Sequence, residues 1–125
     1  AARAKVTTPS IGLVAAPAAW TTLAGEALPA QACDLAVRMI SSNQPHRALP
    51  LTASVCIAVA SQIDGTLVHA ATRPGSDPAA LRPGMPSGVL TVAAQVARDA
   101  QGQWQAIDGA FFRTARRLFE GVVCY

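Results

Sequence analysis

Residues 50–61, Pro-Leu-Thr-Ala-Ser-Val-Cys-Ile-Ala-Val-Ala-Ser, carry no charge, are apolar on every side and are built from small side chains. A helix without a polar face has to be enclosed by protein. This run is also too short to cross a bilayer, which takes about 18–20 residues. Its small side chains let neighbouring backbone come close, so the chain must supply strands that pack round it. Pro50 suits the turn leading into such a helix, and Thr52 or a neighbour is the expected N-cap. With 125 residues in all, there is material for one core of this kind and not for two.

The flanking segments read mostly as strands and turns. Ile11-Gly-Leu-Val-Ala-Ala16 is a short apolar run ended by Pro17, which suits a buried strand. Residues 17–29, punctuated by Gly25 and Pro29, predict a loop. From Ala30 to Ser42 the apolar residues Ala32, Leu35, Ala36, Met39 and Ile40 recur at three- and four-residue spacing, which predicts a helix with one apolar stripe. Asp34 near its start and Arg38 near its end have the signs that a helix dipole favours. Asp64-Gly65 marks a turn into a strand over Thr66–Ala71, and Thr72–Pro83 reads as an exposed loop. Val89–Val96 is β-branched with partial alternation and predicts a strand. Asp99–Gly102 is a hairpin turn, Trp104–Ile107 continues the meander, and Gly109–Arg116 and Leu118–Tyr125 are further extended runs. The expected class is α+β, with residues 1–125 as one domain: a mainly antiparallel sheet or barrel curled round a central apolar helix, plus one surface helix.

Composition removes several classes of function. Hydrophobic residues make up 51% of the chain and charged residues 14%, so intrinsic disorder is excluded. Every long apolar run is broken by Pro, Gly or polar groups, which excludes a membrane-spanning helix. So few charges also imply that some apolar surface faces a partner. The formal charge of +3 favours anionic ligands, yet the arginines are scattered and only Arg113, Arg116 and Arg117 cluster. Nucleic acid needs a basic stripe with stacking aromatics, so small carboxylates or phosphates fit better. Cys33, Cys56 and Cys124 have no metal-ligand spacing, and no cofactor fingerprint is present. A reducing, cytoplasmic home is the simple reading. The first residues have neither an initiator Met nor the apolar stretch of a signal peptide, which suggests a piece of something longer.

Three places could carry chemistry. The start of the apolar helix presents free backbone N–H groups and partial positive charge, and His46 and Arg47 beside Thr52 and Ser54 would complete an anion cradle. Equally, these are a capped helix and two surface side chains. Gly84-Met85-Pro86-Ser87-Gly88 is a glycine-flanked turn where backbone could approach a ligand and Ser87 offers a hydroxyl, or it is an ordinary tight turn. In an extended 112–118 segment Arg113 and Arg117 would share a face, with Glu120 a possible internal partner for an inward arginine. His69, read on a strand, has no evident acid partner nearby, and Lys5 lies near the chain start, away from any expected site. No catalytic residue is assigned.

Taken in order, these segments resemble the PrpF family of methylaconitate cis-trans isomerases and oxalomesaconate tautomerases, from about Thr8 to Tyr125. Pro45-His46-Arg47-Ala48 followed by Leu51-Thr52-Ala53-Ser54-Val55-Cys56 is similar to the family's His-x-Ala turn and central helix. Asp64-Gly65-Thr66 resembles its Pro-Gly-Thr segment, and Gly84-Met85-Pro86-Ser87-Gly88 its Gly-His-Pro-Ser-Gly loop. The most specific likeness is Arg113-Thr-Ala-Arg-Arg-Leu-Phe-Glu-Gly121. The resemblance implies a diaminopimelate-epimerase-like half and cofactor-free proton transfer on small unsaturated di- or tricarboxylates. It also implies substrate-binding roles for His46, Thr52, Ser54, Pro86, Ser87, Gly88 and Arg113. This chain departs from the pattern with Met85 at the loop's histidine position and Ala53 at a usual glycine. The half bearing the family's lysine and cysteine acid/base candidates has no counterpart here. The implied partners are therefore a polycarboxylate substrate and either a missing N-terminal half or a second copy of the chain, without nucleic acid, membrane, metal or cofactor. The rival reading is a non-catalytic domain that dimerises or only binds a carboxylate.

Overall fold

The computed structural model describes residues 10–41 and 43–122. Lys5, Cys124, Ser42 and the last three residues of the 118–125 run lie outside them.

The principal sheet is mixed. Strand β1 (Ile11–Ala15) pairs antiparallel with β4 (Leu35–Ser41), in register from Ile11 opposite Ile40 to Ala15 opposite Ala36. On its other side β4 runs parallel to β6 (Pro83–Met85), which folds back on β7 (Gly88–Val89). The short β5 (Gln44–Pro45) returns along the end of β4. The helix expected over 30–42 is thus a correction: Ala30–Ala32 makes a 3₁₀ turn, and Leu35–Ser41 is strand β4. Leu35, Val37 and Met39 are buried while Ala36, Arg38 and Ile40 lie on the opposite face, the period of two that a strand requires. Alanines beside alternating large residues satisfied both periods in the sequence, and β-sheet partners on both sides decided between them. Asp34 and Arg38 consequently have no helix dipole to answer.

The expected apolar helix is present as α1 (Leu51–Ala60). It is not encircled, however: Ser54, Ile57 and Ala58 are buried, whereas Thr52 and Cys56 are exposed. Pro50 is the N-cap residue and no side chain caps the helix, so Thr52 does not play that part. The second helix, α2 (Leu67–Ala71), occupies the place of a predicted strand. The Thr66 hydroxyl accepts the His69 N–H at 3.0 Å and starts that helix. His69 therefore lies on a helix, with Asp64 3.4 Å from its Nε2 and Ser61 O 2.7 Å from its Nδ1, and the acid partner missed in the sequence is five residues upstream.

Two antiparallel hairpins complete the described chain. Within the 17–29 segment, β2 (Trp20–Thr21) and β3 (Ala27–Leu28) form a small hairpin, so that segment is not wholly loop. Strands β8 (Thr91–Arg98) and β9 (Trp104–Phe112) form the long one, with the expected turn over Asp99–Gly102. β9 ends at Phe112, and residues 113–122 are exposed and outside any strand. The alternation of Arg113 and Arg117 therefore does not apply, and Glu120 pairs with Arg117 at 2.6 Å rather than with Arg113. The core joins Leu35, Val37, Met39, Leu49, Ile57, Leu81, Leu90 and Val92 between the mixed sheet, α1 and β8. This is an α+β arrangement, as expected, but among the described residues the sheets stay open rather than closing into a barrel.

The Thr72–Pro83 loop is held more tightly than its composition suggests. Asp34, 3% exposed, accepts from Arg82 Nε and Nη2 at 3.1 and 2.7 Å and from the Arg82 main-chain N–H at 2.9 Å. Burial pushes the Asp34 carboxyl up, but the Arg82 hydrogen bonds and the charges of Arg82 and Arg73 outweigh it and hold the group below its ordinary value. Burial pushes the Cys33 thiol up, so that side chain packs as an inert hydrophobe.

Candidate functional site

The turn over residues 84–88 is fastened from three directions. The Arg38 guanidinium donates through Nη1 to Gly84 O at 3.3 Å, the Trp20 indole N–H donates to Met85 O at 3.1 Å, and the Leu23 N–H donates to Pro86 O at 2.8 Å. Three successive carbonyls are thereby capped by donors. An oriented carbonyl repels an anion, so satisfying these oxygens weakens that repulsion at the turn. Gly84 sits in a tight place, because a Cβ there would lie 3.0 Å from Cys33 and from the Trp20 ring. Gly88 has φ +132, a conformation that other residues rarely adopt.

The same turn is tied to the segment preceding α1. Ser87 N–H donates to Arg47 O at 3.0 Å, and the Leu49 N–H donates to the Met85 sulfur at 3.2 Å. His46 is anchored next to them by its N–H on Met39 O at 2.8 Å. Two residues beyond Leu49 the helix begins without a cap. The amides of Leu51, Thr52 and Ala53 have no hydrogen-bond partner among the described residues. Such a helix start carries partial positive charge and free donors.

Most sequence-predicted residues thus meet at one edge, though not all in the expected way. His46, Pro86, Ser87 and Gly88 come together, and Ser87 is exposed, its hydroxyl without a hydrogen-bond partner among the described residues. Thr52 borders an apolar groove of about 460 Å³ shared with Gly12, Met39, Cys56 and Leu67. Ser54 faces inward: it is fully buried and its hydroxyl donates to Leu51 O at 2.7 Å, so it has no donor left for a ligand. Arg113 lines a shallow groove of about 600 Å³ with Phe112 and with Val89, the residue that follows Gly88. Arg38 and Trp20 were absent from the sequence-based set, because Arg38 reaches the turn through the β4–β6 pairing and Trp20 through a contact from the β2–β3 hairpin, both distant in the chain. Among the described residues no group of three or more His, Cys, Asp or Glu side chains is placed to hold a metal ion.

Comparison with known proteins places this geometry in context. The profile of the family described as PrpF protein matches residues 1–125. The chain is 40% identical over 116 residues to a 2-methyl-aconitate isomerase of Shewanella oneidensis, a match that covers 93% of this chain and 29% of that protein. It is 30% identical over 116 residues to a 3-methylitaconate isomerase of Eubacterium barkeri, again spanning 29% of the relative. A crystal structure of methylitaconate-delta-isomerase superimposes with a TM-score of 0.68 at 24% identity, covering 85% of this chain and 29% of that one. The chain therefore spans under a third of the length of the relatives it matches.

Proposed function

This chain belongs to the PrpF family, and we propose that it is the carboxylate-binding part of a cofactor-independent isomerase or tautomerase acting on small unsaturated di- or tricarboxylates of the methylaconitate or oxalomesaconate kind. In this reading it corresponds to the C-terminal domain of a two-domain enzyme. The observation that carries the reading is the junction of the carbonyl-capped turn at Gly84–Gly88 with the uncapped start of α1 through Arg47 and Leu49.

The chemistry follows from charge. Removing a C–H proton beside a conjugated carboxylate spreads negative charge onto the carboxylate oxygens, and reprotonation elsewhere moves or rotates the double bond. Fixed donors that meet those oxygens stabilise the developing charge without reorganising. Here Ser87 supplies a free hydroxyl, the first turn of α1 supplies main-chain amides, and His46 borders both. The base that takes the proton comes from the remaining length of a relative-sized chain. Calorimetry with cis-aconitate tests the reading. Ser87→Ala is expected to weaken binding by about 1.5–3 kcal/mol, the loss of a hydrogen bond to a charged group, while the 125-residue chain alone leaves aconitate unisomerised. Equal affinity in the variant, or turnover by this chain alone, refutes it.

A second reading rests on one feature. Phe111, Phe112, Leu118 and Phe119 are exposed, at 42, 56, 77 and 88%. A non-catalytic domain that pairs with its own copy would cover them as well as the rest of a longer enzyme would. Sedimentation separates the two, since a strict monomer disfavours the self-pairing form.

A further inference from the structure

Only two arginines of the described chain are partly buried, Arg38 and Arg73. Arg73 lies 3.9 Å from the Asp34 carboxylate. Arg38 has no carboxylate within 4.0 Å among the described residues. Its partners are two carbonyl oxygens, Val37 O at 2.7 Å and Gly84 O at 3.3 Å, both reached through Nη1. Carbonyls orient a guanidinium but do not neutralise it.

The remaining edge, Nε and Nη2, has no hydrogen-bond partner among the described residues and is not sealed from solvent. That edge has a known use in this molecule: Arg82 grips both oxygens of Asp34 with the same two nitrogens, at 3.1 and 2.7 Å. Two parallel N–H groups match the two oxygens of a carboxylate, and the pairing is geometrically specific as well as strong. Alternation along β4 sends Arg38 to the face opposite the core, two residues beyond Ala36, which pairs with Gly84. The guanidinium is thus fixed to the first residue of the candidate turn, with its bidentate edge unpartnered among the described residues.

From this we propose that Arg38 is a binding residue of the site, and that its Nε–Nη2 edge receives one carboxylate of the substrate beside the Gly84–Gly88 turn. This rests on the carboxylate-binding reading above and adds a residue to it. Arg38 then supplies a cation to the site. It also selects ligands with a carboxylate that extends past the turn to the outer face of the sheet.

Calorimetry and NMR on the 125-residue chain with cis-aconitate as the probe test this, using Ser87→Ala as the reference. Arg38→Gln is expected to weaken aconitate binding about tenfold or more. Arg38→Lys, which keeps the charge and loses the two-pronged edge, should fall between it and the parent and guards against a Gln variant that fails to fold. In the parent chain the Arg38 Nε–H resonance should shift and saturate with the ligand, a response that a merely structural arginine would not give. Binding that is weakened by Ser87→Ala but unchanged by both Arg38 variants, with a stationary Nε–H signal, overturns the Arg38 assignment and leaves the site standing. Absence of any aconitate binding overturns both.

Discussion

At the Gly84–Gly88 turn, donors from β2, from the β2–β3 loop and from β4 converge on three neighbouring carbonyls, and Asp34 close by binds Arg82 through three hydrogen bonds. Beyond Phe112 the chain has residues just as capable of packing, with Leu118, Phe119 and Val122 between 77 and 91% exposed, and only the Arg117–Glu120 pair for an ion contact. Polar groups are organised where strands from distant parts of the chain meet. Apolar groups stay in water where no second layer is present. The difference separates the part of the molecule proposed to fix a ligand from a part whose apolar side chains are exposed.

Substitutions at graded points along that divide would sharpen it or break it. The largest effect belongs to Asp34→Asn, which leaves Arg82 without its carboxylate and should cost about 3 kcal/mol in denaturant unfolding. The pH dependence has a definite sign. Because the folded-state value of Asp34 lies below the unfolded one, its contribution is complete above about pH 4 and is lost as pH falls through the lower, folded value. The Asn variant should show a flatter acid limb. Equal stability in both chains would dissolve the contrast with the tail.

Gly109→Ala probes the boundary itself, since β9 meets α1 there: a Cβ would stand 2.6 Å from Val55 Cγ1. A β-branched neighbour has little rotamer freedom to yield, so a loss of about 1–2 kcal/mol is expected. A neutral result would assign all of β9 to the loosely held region. The smallest effect should come from Phe119→Ser, within about 0.5 kcal/mol as at other exposed positions. A loss beyond 1 kcal/mol, by roughly the same standard, would reveal a docked tail and undo the comparison.

What could be read ahead of the coordinates follows the range of the interactions involved. Helix α1, strand β1 and the Asp99–Gly102 hairpin depend on local pattern and turn chemistry, and they are where they were expected. Residues 35–41 and 67–71 exchanged helix for strand, because short alanine-rich runs suit either period and distant partners decide. At the candidate site, His46 and Ser87 were accessible to motif reasoning. Arg38 and Trp20 reach the turn over 46 and 65 residues of chain, one through the parallel pairing of β4 with β6 and the other from the β2–β3 hairpin, and no local signal announces either. Ser54 was misjudged for the opposite reason: its spacing suited a ligand, but its hydroxyl serves the helix's own backbone.

The placement of the two indoles equips the chain with its own optical gauge. One, Trp20, is hydrogen bonded to the Gly84–Gly88 turn, and the other, Trp104, lies beneath the Arg98 guanidinium at 4.0 Å in the β8–β9 hairpin. Replacing Trp104 by Phe leaves a protein whose sole indole emission originates at the proposed site, so arrival of a small acid can be followed there without attaching any dye.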